Sequence, residues 1–235
     1  MKILSTMRAG RVVRQSLYSP RDPNPNRRRN AISIPKEEKQ RANLKTSYEK
    51  LLMLMCANFS PGDWWVTLTY DDDHLPADRN ASHPYWRKFM RKMRKYRKLN
   101  KDPLVYVYCT QLTTRDGGRR LHHHMVMRFE DDSDAERIRT LWEWGFIHSR
   151  KLKDFDDILD KAQYMCREPR ELGVYVSGEQ MWTPSRGLVR PRFEYAAIDN
   201  DAVDISVPVG CTELCPPVQM PGYGGYKTII YVEPK

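Results

Sequence analysis

The residues best suited to chemistry in this chain stand in one short run, RRLHHHMVM (Arg119–Met127), which holds three of the six histidines, His122, His123 and His124. On a strand, alternate side chains share a face. His122 and His124 are therefore expected to point one way, and His123, Met125, Met127 and Phe129 the other. Two imidazoles about 7 Å apart along one strand suit a single divalent ion. Gln111 ends the preceding apolar run, across a turn marked by Gly117 and Gly118, and its amide oxygen is a candidate third donor. An imidazole–imidazole–oxygen set with open positions suits Mg2+ or Mn2+ when phosphate oxygens complete the shell, and an ion so held polarises a scissile phosphate. A nucleophile to match is Tyr164 in DKAQYMCREPR, with Arg167 three residues later on the same face of an expected helix. A phenol accepts a phosphoryl group and releases it again, so it can hold a DNA end covalently without an outside energy source. Each feature also has a plainer reading: His-x-His pairs occur by chance on exposed strands, and a tyrosine inside a helix usually packs.

Charge points to the partner. The formal net charge is +10 and the isoelectric point about 9.4. Before Asp63, lysines and arginines outnumber acids by roughly three to one, and WRKFMRKMRKYRKLN (Trp86–Asn100) contains no acid. Clusters of one sign favour a polyanion, and nucleic acid is the first candidate. The expected phosphate contacts are the arginine triplet Arg27, Arg28 and Arg29 and the helix cations Arg87, Lys88, Arg91, Lys92, Arg94 and Lys95, with Trp86 and Trp182 as candidate stacking platforms. No run of about eighteen apolar residues occurs, so no membrane span is expected. The first fifteen residues lack the apolar core of a secretory leader, and a reducing, cytoplasmic setting is the expectation. Cys56, Cys109 and Cys166 read as buried free thiols, and Cys211 with Cys215 lacks a second pair to complete a metal site. His74, His83 and His148 are isolated, and Asp71–Asp73 reads as a solvated turn. No phosphate-binding Gly-x-x-x-x-Gly-Lys loop is present.

The elements that must position these residues follow from pattern. Residues 1–34, with three prolines before the arginine triplet, read as a basic flexible arm. From Pro35 a helix is expected, with Leu44, Tyr48, Leu51, Leu52 and Met55 on one face. Then come a strand (Trp64–Tyr70), the basic helix, a second strand (Leu104–Leu112), a Gly-Gly hairpin, the histidine strand, and a helix opened by the Ser133–Glu136 capping box. A short strand after Gly145 follows, and a last helix stopped at Pro169. The order is strand–helix–strand–strand–helix–strand: an α+β fold of split βαβ type, an antiparallel sheet with helices on one side. Residues 35–195 would form this domain, and 196–235 an extension with only short elements.

Three segments together resemble the HUH endonucleases, in particular rolling-circle replication initiators of bacterial plasmids, integrative elements and single-stranded DNA phages. NFSPGDWWVTLTY (Asn58–Tyr70) resembles the first motif of that superfamily. GRRLHHHMVM (Gly118–Met127) resembles its His–hydrophobic–His motif, and KAQYMCRE (Lys161–Glu168) its Tyr-x-x-Lys motif. TPSRGLVRP (Thr183–Pro191) resembles a further Ser-Arg-x-Leu stretch and adds Arg186 to the expected DNA contacts. The resemblance covers roughly residues 40–195. It implies a ferredoxin-like sheet, His122 and His124 as metal ligands and Tyr164 as nucleophile. It further implies single-stranded or hairpin origin DNA as substrate, a 5′-phosphotyrosine intermediate, and a host or element-encoded helicase as partner. The sequence departs from the pattern in three places. His123 stands between the ligand histidines where a hydrophobic residue is usual, Gln111 stands where glutamate is frequent, and Arg167 replaces the motif lysine, keeping the charge but not the easily donated proton. With one tyrosine in the motif, a second transesterification needs another protomer or water. A relaxase or single-tyrosine transposase shares this chemistry. A non-catalytic basic nucleic-acid-binding module is the alternative of another class.

Overall fold

A computed structural model describes residues 1–20, 36–96, 104–114, 118–129, 133–171, 173, 180–199, 203–220 and 226–234. The arginine triplet Arg27–Arg29 lies outside the described residues. The chain is α+β, with two five-stranded antiparallel sheets and five helices among the described residues. It divides into two compact units, one of residues 1–40 and 190–235, the other of residues 41–189. None of the described helices is long and apolar enough to cross a membrane.

The first unit departs from the expected arm and extension. Lys2–Ala9 (β1) and Val12–Tyr18 (β2) form a hairpin that turns at Gly10, whose φ of +56° favours glycine. Phe193–Ile198 (β8), Thr212–Met220 (β9) and Tyr226–Val232 (β10) complete a sheet of order β8-β1-β2-β10-β9. The reason is burial. Val13, Leu17, Ile229 and Tyr231 line one face with Ile205, which a mobile arm would leave in water. The charged residues of the hairpin are accommodated because Arg8 pairs with Glu233 at 2.7 Å, beside the edge of the apolar cluster.

In the second unit Trp64–Thr69 (β3), Tyr106–Thr113 (β4), Arg119–Met127 (β5), Ile147–Lys151 (β6) and the two-residue Thr183–Pro184 (β7) form a sheet of order β6-β3-β5-β4-β7. The helices are Lys36–Asn58 (α1), Arg79–Tyr96 (α2), Ser133–Leu141 (α3), Phe155–Met165 (α4) and Arg167–Glu171 (α5). They do not all lie on one side. Every residue of β5 from Leu121 to Met127 is buried, so this central strand is covered on both faces. One face, with Val66, Leu68, Tyr70, Met125 and Met127, packs against Trp86, Phe89 and Met93 of α2 and Ile138 of α3. The other receives α4 and α5. The last helix also breaks earlier than expected. Asp154 caps α4, accepting from the Asp157 N–H, but α4 ends at Met165 and α5 restarts at Arg167. Pro169 lacks an N–H, and its ring would strike the Met165 carbonyl in a continuous helix; in the first turn of a new helix it is tolerated.

Gly145 fixes how the chain returns to the sheet after α3. Its φ is +150°, and an added Cβ would stand 2.3 Å from the Thr69 carbonyl oxygen. The close approach lets Thr69 and Phe146 exchange backbone hydrogen bonds at 2.9 and 3.2 Å and aligns β6 beside β3.

Candidate functional site

The strand register assembles the site. His122 lies between Thr69 of β3 and Gln111 of β4, and His124 between Thr67 and Cys109. Directly opposed residues share a face, so Gln111, His122 and His124 stand together on the side of α4 and α5. All three are buried, and the two imidazole centroids are 4.6 Å apart. His123 faces the other way. It is fully buried among Trp86, Tyr108 and Trp142, its Nε2 is 2.8 Å from the Tyr70 hydroxyl and its Nδ1 2.8 Å from the Thr110 hydroxyl. Burial pushes its pKa down to about 3, so it is a neutral, fully partnered core side chain. Tyr70 supports the sheet through that bond.

Hydrogen bonding leaves the ligand histidines with lone pairs turned to the site. His122 Nδ1 donates to the Arg120 carbonyl at 2.8 Å, and since a carbonyl only accepts, the neutral ring keeps its lone pair on Nε2. His124 Nδ1 meets the Thr67 hydroxyl at 3.0 Å, and its Nε2 is buried with no partner. Gln111 donates its amide nitrogen to the Tyr164 carbonyl at 2.9 Å, which leaves its Oε1 buried and unpartnered. Burial lowers the pKa of both histidines, that of His124 well below the usual value with the neighbouring imidazoles and Lys161 adding to the effect. Both are therefore neutral at pH 7 and able to act as ligands.

Tyr164 sits at the end of α4, half-buried, its ring edge-on to His124 at 5.0 Å and to Trp65 at 6.0 Å. Trp65 in turn stacks on His124 at 4.8 Å, so one indole touches both the tyrosine and a histidine. Arg167 reaches back across the break between α4 and α5, placing its guanidinium carbon 5.2 Å from the Tyr164 ring centroid and donating to the Thr114 carbonyl. Its Nε is buried without a partner. Only three buried side-chain polar atoms among the described residues lack a partner, and they are Gln111 Oε1, His124 Nε2 and Arg167 Nε. Each such atom costs about 1–3 kcal/mol, so their concentration at one place marks a site built for something that is not part of the chain.

The end of β4 holds the corner between α4 and α5 residue by residue. Gln111 binds the Tyr164 carbonyl, the Leu112 and Thr113 N–H groups donate to Glu168, and the Thr114 carbonyl accepts from Arg167. Glu168 is buried and also takes Arg79 at 2.7 Å. Neither Glu168 nor Trp65 is singled out by sequence: an acid after an arginine reads as a surface pair, and an aromatic on a strand reads as core. Lys161, one turn before Tyr164, lies 5.5 Å from the Trp65 ring centroid and pairs with Asp157 and Asp160.

The expected DNA contacts fall elsewhere. The cations of α2 belong to the opposite side of the sheet from His122 and His124, because Trp86, Phe89 and Met93 anchor that helix over the His123 face. Arg87, Arg91, Arg94 and Lys95 are exposed there, whereas Lys88 and Lys92 pair with Glu143 and lie over the Trp144 ring. Trp86 is buried and stacked on Tyr108 at 3.8 Å, so it offers no platform to a base. Trp182 is half-buried with its indole N–H donated to Ser47. Arg186 is exposed. Asp71 and Asp72 bind His74 and Arg120, as turn residues do, and all five cysteines are free thiols. Among the described residues no group of three His, Cys, Asp or Glu converges. The third donor beside the histidine pair is the neutral amide oxygen of Gln111.

Comparison with known proteins bears on this unit. Residues 63–169 match a family model of replication-associated proteins, the ORF2 type. The matched span runs from the start of β3 into α5 and so contains Gln111, His122, His124, Tyr164 and Arg167. Its description is consistent with a role in replication initiation. No curated protein matches the chain significantly. One solved structure, that of the hypothetical protein ORF119 from Sulfolobus islandicus rod-shaped virus 1, is similar at 18% identity with a TM-score of 0.36, over 55% of this chain and 97% of that one.

Proposed function

We propose that this protein is a replication initiator that nicks and rejoins single-stranded origin DNA through a covalent 5′-phosphotyrosine, as the HUH endonucleases do. The observation that carries the reading is the convergence of three unpartnered buried polar atoms around Tyr164, two of them metal-ligating acceptors and one a guanidinium nitrogen. The strand order β6-β3-β5-β4, with α2 and α3 as the crossovers, supports the split βαβ arrangement such enzymes use.

His122, His124 and Gln111 would hold Mg2+ or Mn2+, and the donor set fits such an ion because the imidazoles are neutral and the amide oxygen is already turned inward. When bound, the ion supplies Lewis-acid polarisation of the scissile phosphate. The chain's own residues do the rest. The Tyr164 hydroxyl attacks phosphorus and forms the new O–P bond. The bond to the 3′ oxygen breaks, and the leaving 3′-OH takes up a proton and is free to prime synthesis. Arg167 stabilises charge on the non-bridging oxygens, which it can meet with two donors. Rejoining is the reverse attack by the 3′-OH. DNA is held mainly by charge, with Arg87, Arg91, Arg94, Lys95 and Arg186 among the contacts, and strand separation falls to a partner helicase.

The test is incubation with labelled single-stranded origin oligonucleotide and Mn2+, followed by a denaturing gel. Wild type gives a covalent adduct and Tyr164→Phe gives none. Equal adduct from Tyr164→Phe removes the assignment, and binding without adduct on any origin sequence leaves a non-catalytic binding module.

A further inference from the structure

The sheet of the first unit sorts its side chains by kind. The face bearing Val13, Leu17, Ile229 and Tyr231 is apolar and meets Ile205, Val207 and Cys211. The acids Glu194 and Glu213 belong to that same side, opposite Thr6 and Tyr231 in the register, and Glu233 reaches Arg8 there. The other face is different. In the register of β8, β1, β2 and β10 it carries Phe193, Met7, Arg14 and Ile230 in one row and Tyr195, Ser5, Ser16 and Thr228 in the next, with Tyr18 and Tyr226 beyond. None of these positions is acidic.

The aromatic rings on this face form a connected track. Tyr18 lies 6.3 Å from Tyr226, whose hydroxyl accepts from Arg14 at 3.2 Å. The same guanidinium stands 5.5 Å from the Phe193 centroid, and Phe193 lies 6.0 Å from Tyr195. Tyr195 is 66% and Phe193 37% exposed, unusual for large rings on a strand, and the exposed Arg190 and Arg192 immediately precede β8. Exposed rings of this kind, spaced about one extended nucleotide apart and interleaved with arginine on an acid-free surface, match what a single strand of DNA offers: flat π-faces at each step and a negative backbone. A second copy of the chain pairing on the edge strand β8 would not require the charge sorting.

We infer that this face of the first unit is a second binding surface for single-stranded DNA, with Phe193 and Tyr195 as base-stacking platforms and Arg14, Arg190 and Arg192 as backbone contacts. It rests on residues other than those of the Tyr164 site and does not depend on cleavage there. The experiment uses the full chain in EDTA with a bromodeoxyuridine-substituted oligonucleotide of about 15 nucleotides, photocrosslinked and mapped by mass spectrometry. Adducts are expected on the peptide holding Phe193 and Tyr195. Tyr195→Ala and Arg14→Ala should each weaken single-strand affinity about tenfold in fluorescence anisotropy, and Tyr195→Phe should keep it. Crosslinks confined to residues 41–189, unchanged affinity in Tyr195→Ala, or loss of self-association as the main effect of that variant would each overturn the proposal. Crosslinking wild type keeps the test decisive even where a variant folds poorly. Because no cleavage occurs in EDTA, its outcome is independent of whether Tyr164 is the nucleophile.

Discussion

Replacing Glu168 by alanine tests how the site is held. One carboxylate oxygen accepts from the Leu112 and Thr113 N–H groups at 2.5 Å each and from the Thr113 hydroxyl at 2.7 Å, and the other takes Arg79 at 2.7 Å. The side chains are 1% and 15% exposed, so water is poorly placed to substitute. Alanine would orphan two backbone donors and one guanidinium arm, while Arg79 keeps its bond to the Thr110 carbonyl. At about 1–3 kcal/mol per orphaned donor, less some local relaxation, the expected loss is about 3–5 kcal/mol, the range for breaking a buried ion pair from one side. Glu168→Gln keeps an acceptor for the N–H groups and loses only the charge, so about 1–2 kcal/mol is expected. Urea unfolding followed by tryptophan fluorescence measures both. Because Glu168 ties α5 to β4 beside Gln111 and Arg167, adduct formation should fall in the alanine variant even at denaturant-free conditions where it remains folded. A loss below about 1 kcal/mol for alanine would refute the argument, since it would mean the donors find other partners.

Other outcomes follow from the same geometry. Gln111→Glu should lower the metal-free melting temperature, because a carboxylate cannot donate to the Tyr164 carbonyl, yet enlarge the stabilisation by Mn2+; equal Mn2+ responses in wild type, Gln111→Glu and His122→Ala would exclude this site as the metal centre. Gly145→Ala should destabilise by about 2 kcal/mol or more, read by thermal unfolding, since its Cβ meets backbone that cannot yield. Arg150 hydrogen-bonds Asp157 at 2.6 and 2.7 Å and holds its carboxyl well below the usual range. A depressed carboxylate pKa gives stability that is fully present above the unfolded value, about 3.9, and lost as pH falls from there through the folded value. Asp157→Asn should therefore be less stable than wild type at pH 7, and the gap should narrow steadily as pH is lowered below about 4, measured by urea midpoints.

The sequence was most legible where local pattern and chemistry coincide. The Thr-Leu-Thr-Tyr strand, the histidine strand and the tyrosine helix lie within a few residues of their expected places, and alternation alone separated His123 from its neighbours. The break at Cys166 was less legible because Pro169 marks the end of a helix without saying which residue ends it. Least legible was the first unit. Strands β1 and β2 are charged and short, and the strands that cover them lie nearly the whole chain away, as the Arg8–Glu233 pair shows. Pro216 and Pro217 argue against a strand, but β9 is at the sheet edge, where a missing N–H is tolerated. The basic helix was placed correctly along the chain, but a helix's charged face does not reveal which side of a sheet its apolar face will choose.

The pairing of β2 with β10 has a consequence for biosynthesis. The amino-terminal hairpin leaves the ribosome long before its neighbour β10 exists, while residues 41–189 emerge in between as a self-contained stretch. The nascent hairpin must wait with an unpaired edge while the intervening unit folds. A messenger truncated after residue 190 would yield a finished second unit attached to an unsatisfied β-ribbon, an aggregation-prone product that a chaperone or protease would meet first.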